Sequence, residues 1–127
     1  MRFLSVVLAA LIATLGLVSV QASAAEPALK TVAALHKEKT ALAGKPISAQ
    51  GKVVKVNNKI MGRNWFHVQD GSGDAKTSTN DLVVTTKQDV AVGDQVTITG
   101  VVAVNKDFGS GYSYPLLIED ASVKVKK

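Results

Sequence analysis

From Val96 to Val104 the chain alternates without a break, with Val96, Ile98, Gly100, Val102 and Val104 on one side and Thr97, Thr99, Val101 and Ala103 on the other. A period of two over that length predicts a half-buried β-strand whose even-numbered residues face a core. The same period recurs after Pro46 and predicts four or five strands in all. In the first, Ile47, Ala49, Gly51 and Val53 share a face, and the apolar face then switches to Val54 and Val56. A face change beside a strand glycine predicts a bulge or sharp bend. A first strand bent in its middle can serve both halves of a small closed barrel.

Asn57-Asn58-Lys59 reads as a turn, and Ile60-Met61-Gly62-Arg63 continues it as a loop. The second strand, Asn64 to Asp70, sets Phe66 and Val68 against Trp65, His67 and Gln69. Gly71-Ser72-Gly73 predicts a tight hairpin connection, followed by a polar loop over Lys76–Asn80. Leu82–Thr86 is the third strand, and Lys87–Ala91 is too short for a helix. Val92-Gly93-Asp94 turns into the long fourth strand. Asn105–Ser113 is a loop rich in glycine and aromatic residues, and the last strand runs from Tyr114 to about Val125, changing face near Glu119-Asp120.

Ahead of Pro46 the period is helical instead. Ala28, Val32, Leu35 and Leu42 fall on one side, and Gly44 followed by Pro46 stops the run, predicting one amphipathic helix over about 31–43. His36 is expected at its surface. Further back, Arg2 precedes an apolar run from Phe3 to Val20 that ends in Ala22-Ser23-Ala24-Ala25. That is the pattern of a secretory leader over 1–25, cleaved after Ala24 or Ala25. The small-residue site favours cleavage over a retained anchor. The expectation is an exported, periplasmic or secreted protein with one domain over 26–127.

The chain has no cysteine. Disulfides, thiolate catalysis, lipid attachment after the leader and c-type haem attachment are thereby excluded. Its formal charge of +5 favours anionic partners without choosing among nucleic acid, head groups and acidic protein surfaces.

Three stretches carry a resemblance: Gly51-Lys52-Val53-Val54-Lys55-Val56, Trp65-Phe66-His67-Val68-Gln69-Asp70-Gly71-Ser72-Gly73, and Val92-Gly93-Asp94-Gln95-Val96-Thr97-Ile98-Thr99-Gly100. Their order resembles the OB-fold plan. Together with Ile60-Met61-Gly62-Arg63-Asn64-Trp65, Asn105-Lys106-Asp107-Phe108-Gly109-Ser110-Gly111-Tyr112 and Ile118-Glu119-Asp120-Ala121, the mature part is similar to small exported OB proteins of the NrfJ-like type, which are often labelled nucleotide- or DNA-binding. The resemblance implies a mainly β, five-stranded OB-fold barrel (about 47–125) with one short N-terminal helix. It departs from the usual OB plan in placing the helix before the first strand, which puts closure of the barrel bottom in question.

In such a barrel, ligands lie on the second- and third-strand faces between the loops joining strands one to two and four to five. The candidate ligand-binding residues are therefore Lys59, Arg63, Trp65, His67 and Gln69, with Lys106, Phe108, Tyr112 and Tyr114 from the later loop. Rings among cations suit single-stranded nucleic acid or a nucleotide, with bases stacked on rings and phosphates on lysine and arginine. The structural alternative is that Trp65, Phe108 and Tyr114 cover one end of the barrel. A basic, aromatic-lined groove also suits an envelope protein partner. Met61 and His67 offer a thioether and an imidazole near Trp65, which suits Cu(I) as an alternative cofactor or cargo; otherwise no cofactor is expected. Glu119 and Asp120 are adjacent on a strand and so placed on opposite faces. There is no nucleophile elbow or phosphate loop, so no enzymatic activity is expected.

Overall fold

A computed structural model of the chain describes residues 27–126. The leader assigned to 1–25 lies outside them. The elements are a helix α1 (Val32–Leu42) and five strands, β1 (Pro46–Ile60), β2 (Arg63–Gln69), β3 (Leu82–Thr86), β4 (Gln95–Asp107) and β5 (Ser113–Lys126). The strands close into a ring in the order β1-β2-β3-β5-β4. All neighbours are antiparallel except β3 and β5, which meet in parallel at Val84 and Ile118.

β1 serves two partners in the way the bent-strand pattern predicts. Residues 46–52 pair with β4 and residues 52–60 with β2, so Lys52 faces Gln95 on one side and Gln69 on the other. Gly51 sits at the changeover because β2 crosses closely there. A Cβ on Gly51 would lie 2.5 Å from Val68 Cγ1 and 2.7 Å from the Gln69 carbonyl oxygen. Gly100 plays the same part on β4, where a Cβ would lie 2.7 Å from Ile118 Cγ2. Opposite it, Asp120 and Ala121 of β5 are inserted between the Thr99–Ser122 and Val101–Glu119 pairs, which is the face change expected near Glu119-Asp120.

The alternation of β4 holds: Val96, Ile98 and Val102 are buried in the ring, with Phe66 and Val68 from β2 and Leu82 and Val84 from β3. The ring closes without a helix between β3 and β4. Val32 and Leu35 of α1 enter the same core, while Ala28, ahead of the helix, is exposed.

Several sequence expectations are corrected. The inward face does not switch to Val54, which is 38% exposed. The bulge falls between Val53 and Lys55: Val53 pairs with Val68 and Lys55 with His67, which leaves Val54 between them, while the Val53 N–H donates to the Asp94 carbonyl and its carbonyl accepts from the Gly93 N–H. Val56 packs half-buried against the core. Asn57–Lys59 is not a turn: β1 runs on to Ile60, and the chain reverses at Met61-Gly62, where Lys59, Met61 and Gly62 take φ of 60°, 54° and 79°. The late loop shrinks to 108–112, because β4 extends to Asp107 and β5 begins at Ser113.

Gly71-Ser72-Gly73 is not a tight hairpin either. The connection 70–81 folds back onto α1 and contains a short 3₁₀ turn, Ala75–Thr77. Asp70 Oδ2 accepts from the Val32 N–H at 3.0 Å, Ser72 Oγ from the Ala33 N–H at 3.0 Å, and Thr31 Oγ1 from the Ala34 N–H at 3.1 Å. The free donors of the first helical turn are thus satisfied largely by a distant loop. Burial acts to raise the Asp70 pKa, but the Ser72 hydroxyl and the Val32 and Ser72 amides together hold it below its ordinary 3.8. A depressed carboxylate stabilises the fold above its unfolded value, and that contribution is lost as pH falls through the folded one. Asp70→Ala should therefore cost about 1 kcal/mol near neutral pH in urea unfolding. The gap between wild type and Asp70→Asn should narrow as the pH drops below 3.8. A gap that is constant across that range would remove the charge from the account.

Candidate functional site

The outer face of the β1–β2 pair is a ladder of cross-strand rungs. Lys55 lies opposite His67, Asn57 opposite Trp65, and Ile60 opposite Arg63. Because Phe66 and Val68 point into the core, alternation turns Trp65, His67 and Gln69 outward, as the sequence predicts. Directly opposed residues hold their side chains about 5 Å apart on one face, so each rung acts as a unit.

Outward does not mean exposed. Trp65 is 4% exposed, roofed by Phe108 at 5.3 Å and Tyr114 at 5.2 Å between ring centroids. Phe108 stands edge-on, interplanar 82°, and Phe108 and Tyr114 are 6.2 Å apart. The indole Nε1–H donates to the Ile60 carbonyl at 2.8 Å, tying the cluster to the β1–β2 turn. The 108–112 turn is closed by the Phe108 N–H to the Tyr112 carbonyl at 2.8 Å. It lays Phe108 over Trp65 and leaves Tyr112 46% exposed. Burial pushes the Tyr114 phenol above its ordinary 10.0, and Tyr112 beside it adds to the rise, so Tyr114 stays neutral.

Around this cluster the polar groups are largely committed to one another. Glu119 Oε2 lies 3.4 Å from Lys106 Nζ and 3.9 Å from Arg63 Nη1, joining β2, β4 and β5. His67 Nδ1 is 2.6 Å from Asp81 Oδ2, and the other Asp81 oxygen accepts from Gln69 Nε2 at 3.1 Å. The Asp81 carbonyl accepts from His36 Nε2–H at 2.7 Å. His36, expected at the helix surface, is instead half-buried and docks α1 onto the β2–β3 connection.

Between the two turns lies a cleft of about 440 Å³ lined by Lys55, Asn57, Ile60, Trp65, His67, Tyr112 and Tyr114. A second hollow of about 360 Å³ lies across Tyr114, against His36, Lys39 and Asp81. Of the residues the sequence singles out, Trp65, His67, Tyr112 and Tyr114 meet in the first cleft. Lys59 and Arg63 open instead onto a hollow shared with Lys87 and Asp89. Gln69, Lys106 and Phe108 stand behind the wall: Gln69 holds Asp81, Lys106 holds Glu119, and Phe108 roofs Trp65. Lys55, Asn57, Ile60 and Asp81 were not singled out by the sequence. The first two face outward only because of the bulge at Val54.

Met61 is 47% exposed at the tip of the turn. His67 lies four residues along β2 from Arg63, a backbone span of about 13 Å at ~3.3 Å per residue, with Met61 beyond the strand's start. Among the described residues no group of three or more His, Cys, Asp or Glu side chains is placed to hold a metal.

No protein-family model matches the chain, and no curated protein matches it. Among solved structures it is similar to an OBody bound to hen egg-white lysozyme, at 14% identity and a TM-score of 0.48 over 67% of this chain and 84% of that one. It is also similar to a DUF3299 family protein from Pseudomonas aeruginosa PAO1, at 16% identity and a TM-score of 0.48, over 68% of this chain and 64% of the other.

Proposed function

We propose that the closed five-stranded ring is an OB-type barrel, that the chain is exported by the leader at 1–25, and that it is a non-enzymatic binding protein of the cell envelope. Its ligand surface is the cleft on the β1–β2 face between the two turns, and its ligand is a protein partner. The OB plan, which sets ligands on the second- and third-strand faces between the same two turns, supports a surface that includes the outward face of β2.

The observation that carries the choice of partner is the burial of Trp65. Stacking on a ring stabilises a bound base by about 1–3 kcal/mol, but only on an accessible π-face. Trp65 has 4% of its surface accessible. Freeing that face would give up two ring pairings of about 0.5–1.5 kcal/mol each together with the burial of the indole, which offsets the stacking gain. Arg63 and Lys106, two of the cations a phosphate chain would use, are already turned to Glu119. What the surface offers is an apolar rim, Ile60 at 37%, Met61 at 47% and Tyr112 at 46% exposure, around a cleft with a few polar groups. An aromatic and aliphatic rim over a partly polar hollow is the composition of a protein-recognition patch. Exposed Lys52, Lys55 and Lys59 along β1 favour single-stranded nucleic acid or a nucleotide as the second reading.

A photo-crosslinking residue at position 112 should give one defined protein adduct in an envelope extract. The same residue at position 92, on the exposed turn before β4, should give none, and Ile60→Asp should abolish the adduct at 112. Identical adducts from both positions would overturn the proposal. So would oligo(dT) bound at low salt and released steeply as salt rises.

A further inference from the structure

The ring has a second outward surface, formed by β5, β4 and the first half of β1. Register sets its residues in rows across three strands. Lys52 of β1, Gln95 of β4 and Lys126 of β5 are successive partners, and Gln50, Thr97 and Lys124 form the next outward row. Val96, between the two rows on β4, points into the core, so both rows lie on the solvent side. All three lysines are exposed. With strands ~4.8 Å apart and alternate residues ~6.8 Å apart along a strand, they are rooted within about 12 Å of one another. Neither row holds an acidic residue, and among the described residues none of the three lysines is in an ion pair. The carboxylates that border the face are committed elsewhere: Asp94 Oδ2 accepts from the Ala91 N–H at 3.0 Å, and Asp70 caps α1. Like charges gathered and left unpaired repel one another, so the face gains from a negative partner.

Its apolar neighbours say which kind. The Val53 backbone holds the 92–94 turn against β1 just past the Lys52 row. Val54 and Val92, 38% and 64% exposed, therefore stand at the lysine end of the face. The two rows carry no arginine and no aromatic ring. Single-stranded nucleic acid needs rings to stack on, and protein interfaces are enriched in arginine and aromatic residues and depleted in lysine. Lysine is a point charge on a flexible stem and asks no fixed geometry of its partner, which suits mobile phosphate head groups. Exposed aliphatic side chains beside lysines find no counterpart on a soluble polyanion, but they do in the layer where head groups meet acyl chains.

We infer that the β1–β4–β5 face docks the protein on an anionic lipid surface, with Lys52, Lys124 and Lys126 over head-group phosphates and Val54 and Val92 entering the head-group layer. The docking is peripheral and uses none of the residues that line the cleft. It agrees with the absence of a protein adduct expected at position 92, because that position meets lipid.

Sedimentation with phosphatidylcholine vesicles, with and without phosphatidylglycerol, tests it on protein purified after export and leader removal. Binding to the anionic vesicles should exceed binding to the neutral ones by about a hundredfold, at roughly fivefold per lysine. Most of that excess should vanish between about 0.05 M and about 0.5 M salt. Changing Lys52, Lys124 and Lys126 together to Gln should remove it, with the Trp65 emission unchanged to mark an intact fold. The same change at Lys37, Lys76 and Lys87, exposed lysines elsewhere, removes equal charge and should weaken binding less than about threefold. Val92→Ser should weaken the binding left at high salt by about threefold. Equal binding to the two vesicles, equal losses from the two triple variants, or oligo(dT) or polyglutamate bound more tightly than the anionic vesicles would overturn the inference. Vesicle binding absent while the adduct at position 112 persists ends this inference alone, and the reverse ends the protein-partner reading alone.

Discussion

Trp65→Ala should destabilise the protein by about 3–5 kcal/mol, lowering the thermal midpoint by about 12 °C or more. The size follows from where the ring sits. It is 4% exposed between Phe108 and Tyr114, and its Nε1–H is the donor that fastens the β1–β2 turn through Ile60. The truncation removes the central ring of a three-ring cluster, whose pairings add about 0.5–1.5 kcal/mol each beyond burial. A loss of this size is a large share of the 5–15 kcal/mol typical of a domain. Trp65→Phe keeps most of the packing and loses the hydrogen bond, so it should cost only about 0.5–1.5 kcal/mol beyond the volume change. The chain has one tryptophan, so its emission reports this site alone. It should be blue-shifted and poorly quenched by acrylamide in the native protein. A base-stacking Trp65 predicts the opposite pattern: ready quenching, little change in stability on truncation, and a large loss of oligonucleotide affinity. Unfolding curves and quenching together decide between the two.

The contrast between Trp65 and β4 marks how far the sequence reaches. The inward set of β4 depends only on alternation within one strand, and Val96, Ile98 and Val102 are buried as read. β3 is likewise found at Leu82–Thr86, and the helix at Val32–Leu42. The outward turn of Trp65 and His67 was also legible, being a matter of parity. Its burial under Phe108 and Tyr114 was legible only as one of two open alternatives, because the roof comes from more than forty positions away and nothing local says where the 108–112 turn will lie. The same holds for Asp70-Gly71-Ser72-Gly73. Locally it carries every sign of a hairpin, yet Asp70 and Ser72 cap a helix that precedes them by nearly forty residues. The bulge at Val54 lies between the Val53–Val68 and Lys55–His67 pairs, and without it Lys55 would not share a face with His67. The cleft is assembled from such distant pairings, which is why its residues were half found.

Leu35→Ala should cost about 2–5 kcal/mol, although Leu35 lies on a helix outside the ring. It is 0% exposed and belongs, with Val32, to the core cluster of all five strands. The connection between β3 and β4 supplies no helix to that core, only Val90 at 9% exposure, so α1 fills the space from the N-terminal side. The backbone fixes it there. The Lys30 N–H donates to the Ser48 carbonyl at 2.8 Å, the Ser48 N–H to the Ala28 carbonyl at 3.0 Å, and the Gly44 N–H to the Val102 carbonyl at 2.7 Å. Eleven residues make a helix too short to persist alone in water, so its stability comes from this docking and from the caps on Val32 and Ala33. Helix and ring should then unfold together. Circular dichroism at a helix-sensitive wavelength and Trp65 emission should trace the same urea transition in wild type and in Leu35→Ala, the variant shifted to lower urea. Leu42→Ala, at a half-buried position, should shift it less, and Lys37→Ala, at an exposed one, hardly at all. A helix signal lost before the Trp65 signal, or a Leu35 effect no larger than that of Lys37, would make α1 an appendage rather than the sixth element of the core.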